Sequence, residues 1–366
     1  MALDAMPHLF VDISSHGFGH LAQTGPVIMA LSACLPGLQL TVRSGLPEAQ
    51  LRLRIDRDFD YIGGASDDAF LMHDAVRLDR DASAAAYRSA HADWSARVAA
   101  EAGFLRKLAP DAVLSNISCL PLAGAKLAGI PAVAMCSLNW ADQFAYLFSG
   151  EPWAEKIHAE LRAAYAGADV FLRCRPAMPM PDLPNTQEIP PLARLGRSRR
   201  DALEAALGVR NERLVMVVMG GISFDLPVAS WPHVPGVHWL VRDDLAVDRK
   251  DVSAYRQHGF HFSDLLASVD AVVTKPGYGM FVESAAAGTP VLYLRREDWP
   301  EQEALIDWLR REAVCAEVSA ADFLSGQMKT QLEALWLKPR RAMKADGAES
   351  AAAVIAERLT AGSRIA

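Results

Sequence analysis

Two glycine-rich turns carry the residues of this chain whose types and spacing could do chemistry. The first is residues 14–20, SSHGFGH, which follow a short apolar run and precede a helical pattern. The second is residues 274–290, TKPGYGMFVESAAAGTP, which also join an apolar run to a helical pattern. A strand, a glycine turn and a helix open the units of nucleotide-binding α/β folds, so both turns are candidate binding sites.

Two histidines are the titratable groups of the first turn, His16 and His20. Gly17, Phe18 and Gly19 lie between them, and the glycines leave little side-chain bulk in the way of a substrate. An imidazole, with an ordinary pKa near 6.5, can take a proton from a sugar or water hydroxyl. We therefore predict that His20 is a general base and that residues 16–19 lie on the acceptor side. The alternative is a capping or packing role for both histidines.

Metal binding at the first turn is not expected. His16 and His20 are four residues apart, like a helical metal-binding pair, but the glycines between them argue against a helix there. No neighbouring carboxylate completes a zinc motif, and no Asp-x-Asp motif is evident. The sequence predicts no metal ion and no cofactor.

The second turn has the features of an anion site. Gly277 and Gly279 follow a predicted strand, and exposed N–H groups at the start of the next helix would attract a phosphate. Lys275 can neutralise phosphate charge, and Glu283 lies about one turn into the helix, where it could reach a ribose. The alternative is an ordinary strand-to-helix turn with Glu283 on the surface.

Two further stretches could belong to a site. Gly220 and Gly221 end the apolar run 214–219, so their backbone could face phosphates, although a simple turn is the alternative. The aromatic-rich residues 139–153 begin with Asn139, Trp140 and Asp142, which would suit a sugar or apolar acceptor. A core helix with aromatic packing explains the same residues, and both interpretations stay open.

The second turn resembles the nucleotide-sugar signature of two-domain glycosyltransferases of the GT-B fold. The resemblance runs from the glycine turn through the Gly-x-Pro to VLYLRREDWPEQ, although many relatives have Asp where this chain has Glu301. Residues 261–277, HFSDLLASVDAVVTKPG, also resemble the base-binding loop of that family. The resemblance implies a nucleobase near His261 and Phe262, a diphosphate at Gly277, Tyr278 and Gly279, a ribose at Glu283, and a donor sugar at Glu301 and Gln302.

The string GFGH resembles the first-domain loop of the UDP-sugar hydrolase of pseudaminic acid synthesis. The histidine of that string is the catalytic base in the hydrolase, which implies the same role for His20. The string also resembles the N-terminal domain of plant arabinokinases, as do NWADQFAY and the second turn, so this resemblance covers most of the chain.

These resemblances imply an inverting, metal-independent glycosyltransferase with a UDP-sugar donor and a small-molecule or glycan acceptor. Hydrolysis of a nucleotide sugar at the same residues and a non-catalytic nucleotide-sugar-binding domain are the alternatives. A dehydrogenase is less favoured because the first turn lacks Gly-x-Gly-x-x-Gly.

The hydrophobic pattern alternates between strands and helices in two halves, which predicts an α/β protein of two Rossmann-like domains facing a cleft. We expect domains at residues 1–190 and 191–345, joined by a proline-rich connection at 175–200, and a C-terminal helix, 346–366, that crosses back to the first domain. A single Ala-rich helix is predicted at 82–108. Further strands are predicted at 39–44, 110–115, 131–137, 214–219, 237–241, 259–262, 271–274 and 291–294.

Composition excludes several classes of function. The 366 residues are 51% hydrophobic with a net charge of −7, which disfavours general binding to nucleic acid. The five cysteines are widely spaced and form no Cys-x-x-Cys pair, which fits a reducing cytoplasm. No apolar stretch is long enough for a membrane span, and the oligomeric state is left open.

Overall fold

The structure, a computed structural model, describes residues 6–67, 70–222, 224–256 and 258–362, and it divides into two units. The first unit contains the described residues within 1–71, 79–192 and 346–366. The second contains those within 72–78 and 193–345. Each unit is built on its own sheet of parallel strands.

The first unit alternates strands with helices. Its strands are β1 (His8–Ile13), β2 (Gln39–Ser44), β3 (Asp60–Gly63), β4 (Ala112–Asn116), β5 (Ala132–Cys136), β6 (Val170–Cys174) and β7 (Thr186–Ile189). Its helices are α1 (Phe18–Cys34), α2 (Glu48–Leu51), α3 (Arg80–Ala92), α4 (Trp94–Leu108), α5 (Cys119–Ala128), α6 (Trp140–Phe148), α7 (Ala154–Ala166) and, after the second unit, α14 (Gly347–Gly362).

The strand order of the first sheet, β3-β2-β1-β4-β5-β6-β7, places β1 beside β4. All residues of β4 and β5 are buried, as expected for parallel strands that are covered by helices on both faces. The register pairs Ile13 with Asn116, so the turn after β1 and the end of β4 lie at the same edge of the sheet.

The C-terminal helix α14 packs on α1 within the first unit. Its buried face consists of Ala351, Ala352, Ile355 and Leu359, each at most 1% exposed. These apolar side chains recur at helical spacing, so burial of one face against the first unit holds the helix there.

The second unit repeats the alternation. Its strands are β8 (Arg213–Val218), β9 (Val237–Val241), β10 (Val252–Ala254), β11 (Ala271–Thr274), β12 (Val291–Tyr293) and β13 (Cys315–Glu317). Its helices are α8 (Arg200–Leu207), α9 (Phe262–Ser268), α10 (Tyr278–Ala287), α11 (Glu301–Glu312), α12 (Ala320–Ser325) and α13 (Lys329–Trp336), with 3-10 turns at Val228–Ser230 and Asp243–Leu245.

The strand order of the second sheet is β10-β9-β8-β11-β12-β13, and every strand is parallel to its neighbours. A core of aliphatic and aromatic side chains covers one side of it, including Trp231 against Trp239 with ring centroids 5.1 Å apart. The predicted α/β class with two Rossmann-like sheets is confirmed.

Two predicted elements are wrong, and a third contains a strand that was not predicted. The helix predicted at 82–108 is two helices, because Asp93 leaves the helical conformation and both ends α3 and begins α4. Residues 259–262 are not a strand: α9 begins at Phe262, where the acidic side chain of Asp264 lies favourably in the first turn. The proline-rich connection contains β7, which is stabilised by pairing with β6 rather than by its own sequence.

Four further strands, β3, β6, β10 and β13, have no counterpart among the predictions. β3, β10 and β13 are short strands at sheet edges, whereas β6 is a buried interior strand whose apolar run was missed. No helix in the described part of the chain has the length and apolar character that a membrane crossing requires.

Candidate functional site

The orientation of His20 is set by a chain of buried amides in the first unit. His20 Nδ1 lies 2.9 Å from Asn116 Oδ1. Asn116 Nδ2 donates to Gln23 Oε1 at 3.0 Å, and Gln23 Nε2 donates to Ser137 Oγ at 2.8 Å. Because both hydrogens of an amide are on nitrogen, this order makes Asn116 an acceptor towards His20. His20 therefore carries its proton on Nδ1 and presents Nε2 as an acceptor.

His20 is neutral over most of the pH range. The residue is only 7% exposed, and burial lowers its pKa to about 4, although the hydrogen bond with Asn116 acts in the opposite direction. Among the described residues, the groups bonded to Nδ1 are this amide and the Cys136 thiol at 3.8 Å. Neither carries a negative charge that would stabilise an imidazolium. The arrangement supplies a proton acceptor of low basicity.

The glycines of the first turn leave open space beside His20. Gly17 has a φ of 131°, which favours glycine, and a Cβ at Gly17 or Gly19 would have no neighbour within 4 Å. The rings of His16 and His20 meet Trp140 edge-on, with centroids 5.3 Å and 5.7 Å away. Phe18 is half-buried at the start of α1. His16 and Trp140, both predicted for the acceptor side, and His20, the predicted base, are therefore neighbours.

Trp140 also lines a small pocket in the first unit. Its indole N–H donates to Asp67 at 3.3 Å, and burial raises the pKa of Asp67 to about 6. Tyr87 and His91 line the same pocket, and His91 Nδ1 is bonded to Glu160 at 2.7 Å. Asp67, Tyr87 and His91 were not among the predicted site residues, because nothing in their local pattern distinguishes them from ordinary helix and loop residues.

Asn139 and Asp142 act on their own helix. Asn139 Oδ1 accepts from the Asp142 N–H at 2.8 Å, and Asn139 Nδ2 donates to the Asp142 carboxylate at 2.8 Å. Asn139 is fully buried and is the N-cap of α6. Both side chains thus hold the start of the helix that carries Trp140, as expected for an Asn N-cap.

The second turn lies in the second unit at the carboxyl ends of β8 and β11. Gly277 is the N-cap of α10, whose first residues are Tyr278 and Gly279. A Cβ at Gly220 or at Gly277 would lie 3.8 Å from Lys275 Nζ, so the ammonium lies between the two glycine turns. The first N–H groups of an α-helix have no partner within the helix. Lys275 and the α10 N-terminus together form a site of positive potential.

The Lys275 ammonium is destabilised where it lies. Burial lowers its pKa well below the ordinary value, and the charge of Arg296 adds to this, while Glu301 opposes it. Gly221 belongs to the same loop as Gly220, and Ser223, which completes that run in the sequence, lies outside the described residues. An anion bound at this position would restore the charge on Lys275.

Three acidic or amide residues predicted to contact the donor have protein partners. Glu283 is 3% exposed, and its carboxylate accepts from the Arg194 N–H at 3.4 Å. Glu301 is 4% exposed and accepts from Trp299 Nε1 at 3.0 Å. Gln302 makes two hydrogen bonds of 2.9 Å with the backbone of Arg296. The contacts of Glu301 and Gln302 support the loop between β12 and α11, and the contact of Glu283 joins α10 to the backbone at Arg194.

The predicted base-binding residues lie at the start of α9. His261 is exposed and is the N-cap, and Phe262 is half-buried, with its ring 6.2 Å from that of Tyr255. A small pocket in this unit is lined by Gly220, Arg242 and Tyr255, among others. Tyr255 therefore connects the predicted base-binding residues to the Gly220 turn.

Two residues that the sequence analysis did not select complete these sites, Asn116 and Arg296. Each had a signal, because each follows an apolar strand closely at its carboxyl end, where ligands bind in open α/β sheets. Within the described residues, no group of three or more His, Cys, Asp or Glu side chains has the geometry of a metal site.

Comparisons with known proteins agree with this architecture. The kitacinnamycin glycotransferase superimposes with a TM-score of 0.63 at 16% identity, covering 98% of this chain and 96% of that one. The calicheamicin glycosyltransferase CalG4 gives 0.57 at 12% identity, over 98% and 95% of the two chains. UGT2 of Phytolacca americana, solved with UDP-2fluoro-glucose and pterostilbene, gives 0.55 at 13% identity, over 97% and 100%. The fold is therefore the GT-B fold of glycosyltransferases.

At the level of sequence, the chain is similar to an L-arabinokinase of Arabidopsis thaliana, with 24% identity over 363 residues. The match covers 94% of this chain but only 34% of the arabinokinase, so this chain spans about a third of that protein's length. No protein-family model matches the chain.

Proposed function

We propose that this protein is a glycosyltransferase that moves a sugar from a nucleoside-diphosphate donor, UDP in the first instance, to an acceptor hydroxyl. The observation that carries the proposal is the orientation of His20, whose Nδ1 is committed to Asn116 and whose Nε2 is an acceptor beside the open glycine turn. The acceptor is a small molecule or a glycan, and no metal ion takes part.

In the proposed reaction, His20 Nε2 takes the proton of the acceptor hydroxyl as its oxygen attacks the anomeric carbon. The bond between that carbon and the diphosphate oxygen breaks, and its electron pair leaves with the nucleoside diphosphate. Attack from the face opposite the leaving group inverts the anomeric configuration. The α10 N-terminus and Lys275 stabilise the growing negative charge on the diphosphate.

Two kinds of support come from outside the site. The fold is shared with glycosyltransferases, and one of these was solved with a UDP-sugar analogue and a small-molecule acceptor. Fold likeness alone raises the expectation of such chemistry without specifying a substrate.

Two alternatives use the same residues. In the first, water replaces the acceptor and the chain is a nucleotide-sugar hydrolase. In the second, the chain binds nucleotide sugars without turnover. Asn116 orients the imidazole of His20 but does not stabilise an imidazolium as a carboxylate would, so turnover has to be measured to separate this second alternative from the enzyme.

The first experiment is a calorimetric titration with UDP, GDP, dTDP and ADP in the absence of metal. We expect one diphosphate to bind selectively, and Glu283→Ala to weaken it. Exposed Glu333, on a different helix of the same unit, provides the matched control Glu333→Ala. Failure of all four nucleotides to bind the wild-type protein would rule out all three functions.

Turnover of the sugar nucleotide that binds is then measured with and without candidate acceptors. We expect His20→Ala to abolish turnover while nucleotide affinity is retained, since the base and the donor-binding turn belong to different units. Unchanged turnover in this variant would exclude His20 as the base. Turnover to free sugar in the presence of every acceptor would favour the hydrolase, and binding without turnover the non-catalytic domain.

A further inference from the structure

A second buried cation, Arg296, lies next to Lys275 in the second unit. The two residues follow adjacent parallel strands, β11 and β12, whose register pairs Thr274 with Tyr293. The backbone continues this pairing beyond the strands, since the Leu294 N–H donates to the Thr274 carbonyl at 2.9 Å. Lys275 and Arg296 therefore emerge at the same edge of the sheet, where parallel α/β sheets bind ligands.

The position of the Arg296 guanidinium is fixed by its own loop. Gln302 binds both the N–H and the carbonyl of Arg296, each at 2.9 Å. The guanidinium carbon lies 3.7 Å from the centre of the Trp299 ring, a close cation–π contact. Trp299 in turn donates to Glu301. Three residues, Gln302, Trp299 and Glu301, thus hold Arg296 in place.

Within the described residues, few N–H donors of this guanidinium have a hydrogen-bond acceptor. Arg296 is 7% exposed, its buried Nε has no hydrogen-bond partner there, and Nη2 faces the Met72 sulfur, a weak acceptor, at 3.9 Å. The preceding residue, Arg295, has acidic partners: its guanidinium forms ion pairs with Glu303 and with Glu317, and the Glu317 contact is 3.2 Å.

Burial of a cation without hydrogen-bonded partners is costly, so such a group is unusual unless a ligand completes it. Burial lowers the pKa of Arg296 to about 10, with the charge of Glu301 acting in the opposite direction. Among the described residues, Glu301 is the carboxylate whose charge opposes the lowering of both pKa values, that of Arg296 and that of Lys275. Protonation of Lys275 beside Arg296 would give two positive charges against one negative charge, next to the α10 N-terminus.

We propose that Arg296 is a ligand of the donor's diphosphate and acts together with Lys275, one cation from each of two adjacent strand ends. This inference rests on the proposed function and extends it. As the glycosidic bond breaks, its electron pair passes to the β-phosphate oxygen, and both cations stabilise the resulting charge. A divalent metal ion would serve the same purpose, so the pair explains how the leaving group is stabilised without one.

The test compares Arg296→Met with Arg295→Met, a matched control whose side chain lies in exposed ion pairs. Calorimetric titration with the nucleoside diphosphate that binds the wild-type protein should show a loss of about 10- to 100-fold in affinity for Arg296→Met, as for lost hydrogen bonds to a charged group. Arg295→Met should bind as the wild type does. Arg296→Lys, which keeps the charge but not the planar fork, should recover part of the loss.

A second readout separates a phosphate ligand from a residue that only supports the loop. Lys275 is faced by Arg296 from the loop after β12 and by Glu301 from α11, and α10 adds the positive end of its dipole. Diphosphate binding should raise the pKa of Lys275, so the protein should take up protons as the ligand binds. Calorimetric titrations in buffers of different ionisation enthalpy measure this proton uptake. Arg296→Met should reduce this uptake, because Lys275 is then already more protonated in the free protein.

Unchanged diphosphate affinity and proton uptake in a folded Arg296→Met variant would overturn the inference and leave the proposed function intact. A loss confined to UDP-glucuronate, with UDP and UDP-glucose unaffected, would also overturn it, because Arg296 would then bind a sugar carboxylate. If no nucleoside diphosphate binds the wild-type protein, the inference falls together with the proposed function.

Discussion

At the residue scale, a histidine and its neutral partner define the chemistry of the first unit. His20 is buried, donates through Nδ1 to Asn116, and is held at a pKa of about 4. A lowered pKa keeps the imidazole in its proton-accepting form but makes each proton transfer to it less favourable. His20 is therefore oriented as a general base requires, but its basicity is low because its partner Asn116 is neutral.

Replacing Asn116 by Asp tests this balance. In the wild-type protein, His20 is unprotonated above a pH of about 4, so kcat/KM should fall only as the pH drops through that value. A carboxylate beside Nδ1 stabilises the imidazolium and raises the pKa, so the acid limb of the kcat/KM profile should move to higher pH in Asn116→Asp. The rate on the plateau should rise because the base is stronger.

The control is Asn116→Leu, which removes the acceptor for Nδ1–H and leaves the tautomer unspecified. We expect its kcat/KM to fall by about 100-fold or more, the usual contribution of a positioned base. An acid limb at the same pH in the wild type and in Asn116→Asp would show that a group other than His20 controls the profile.

At the element scale, helix starts position the functional groups of both units. α10 begins at Tyr278 beside Lys275, and α6 begins at Trp140 beside His20. In each case the residue before the helix fixes its first turn: Gly277 by its backbone, and Asn139 by its side chain.

Asn139→Ala distinguishes the two roles open for Asn139, helix cap and acceptor contact. As the N-cap of α6, its loss should lower the free energy of unfolding of the first unit by about 1 kcal/mol, measured by urea titration. Asn139→Ser, which also caps helices well, should retain most of that stability. A raised KM for the acceptor with unchanged stability would instead support a direct contact with the acceptor.

At the scale of the whole molecule, the chain returns to its first unit after completing the second. The helix α14 buries Ile355 and Leu359 fully, although it follows the second unit in sequence. The stability of the first unit thus depends on a C-terminal segment that is separated in sequence by more than a hundred residues from the other residues of that unit.

Ile355→Ala should therefore destabilise the first unit and leave the second unchanged. The loss of a fully buried Ile side chain costs about 2–5 kcal/mol. Thermal unfolding followed with and without nucleoside diphosphate separates the units, because the ligand stabilises the unit that binds it. Ala353→Ser, on the exposed face of the same helix, is the control. If Ile355→Ala weakened nucleotide binding as well as destabilising the first unit, the assignment of α14 to the first unit alone would be contradicted.

The sequence by itself determined the elements whose signals are local. The strands at 39–44, 237–241 and 271–274 match β2, β9 and β11 residue for residue, because each is short, contains β-branched or aromatic residues and is bounded by turn residues. The GT-B architecture followed from the alternation of such runs with helical patterns and from the resemblance carried by the two glycine turns. His20 and Lys275 could be selected because glycines flank them in the sequence.

Which side chains are in contact depends on the tertiary fold and could not be predicted from local sequence. Asn116 is 96 residues from His20 and reaches it because β1 and β4 are adjacent in the sheet, and Arg296 lies near Lys275 because β12 is adjacent to β11. The use of Gln302 and Asn139 as supports for Arg296 and α6 was likewise not visible in the sequence. Local propensity determines where strands and helices begin, whereas the order and register of parallel strands, which depend on the packing of the whole unit, determine the neighbours of each strand end.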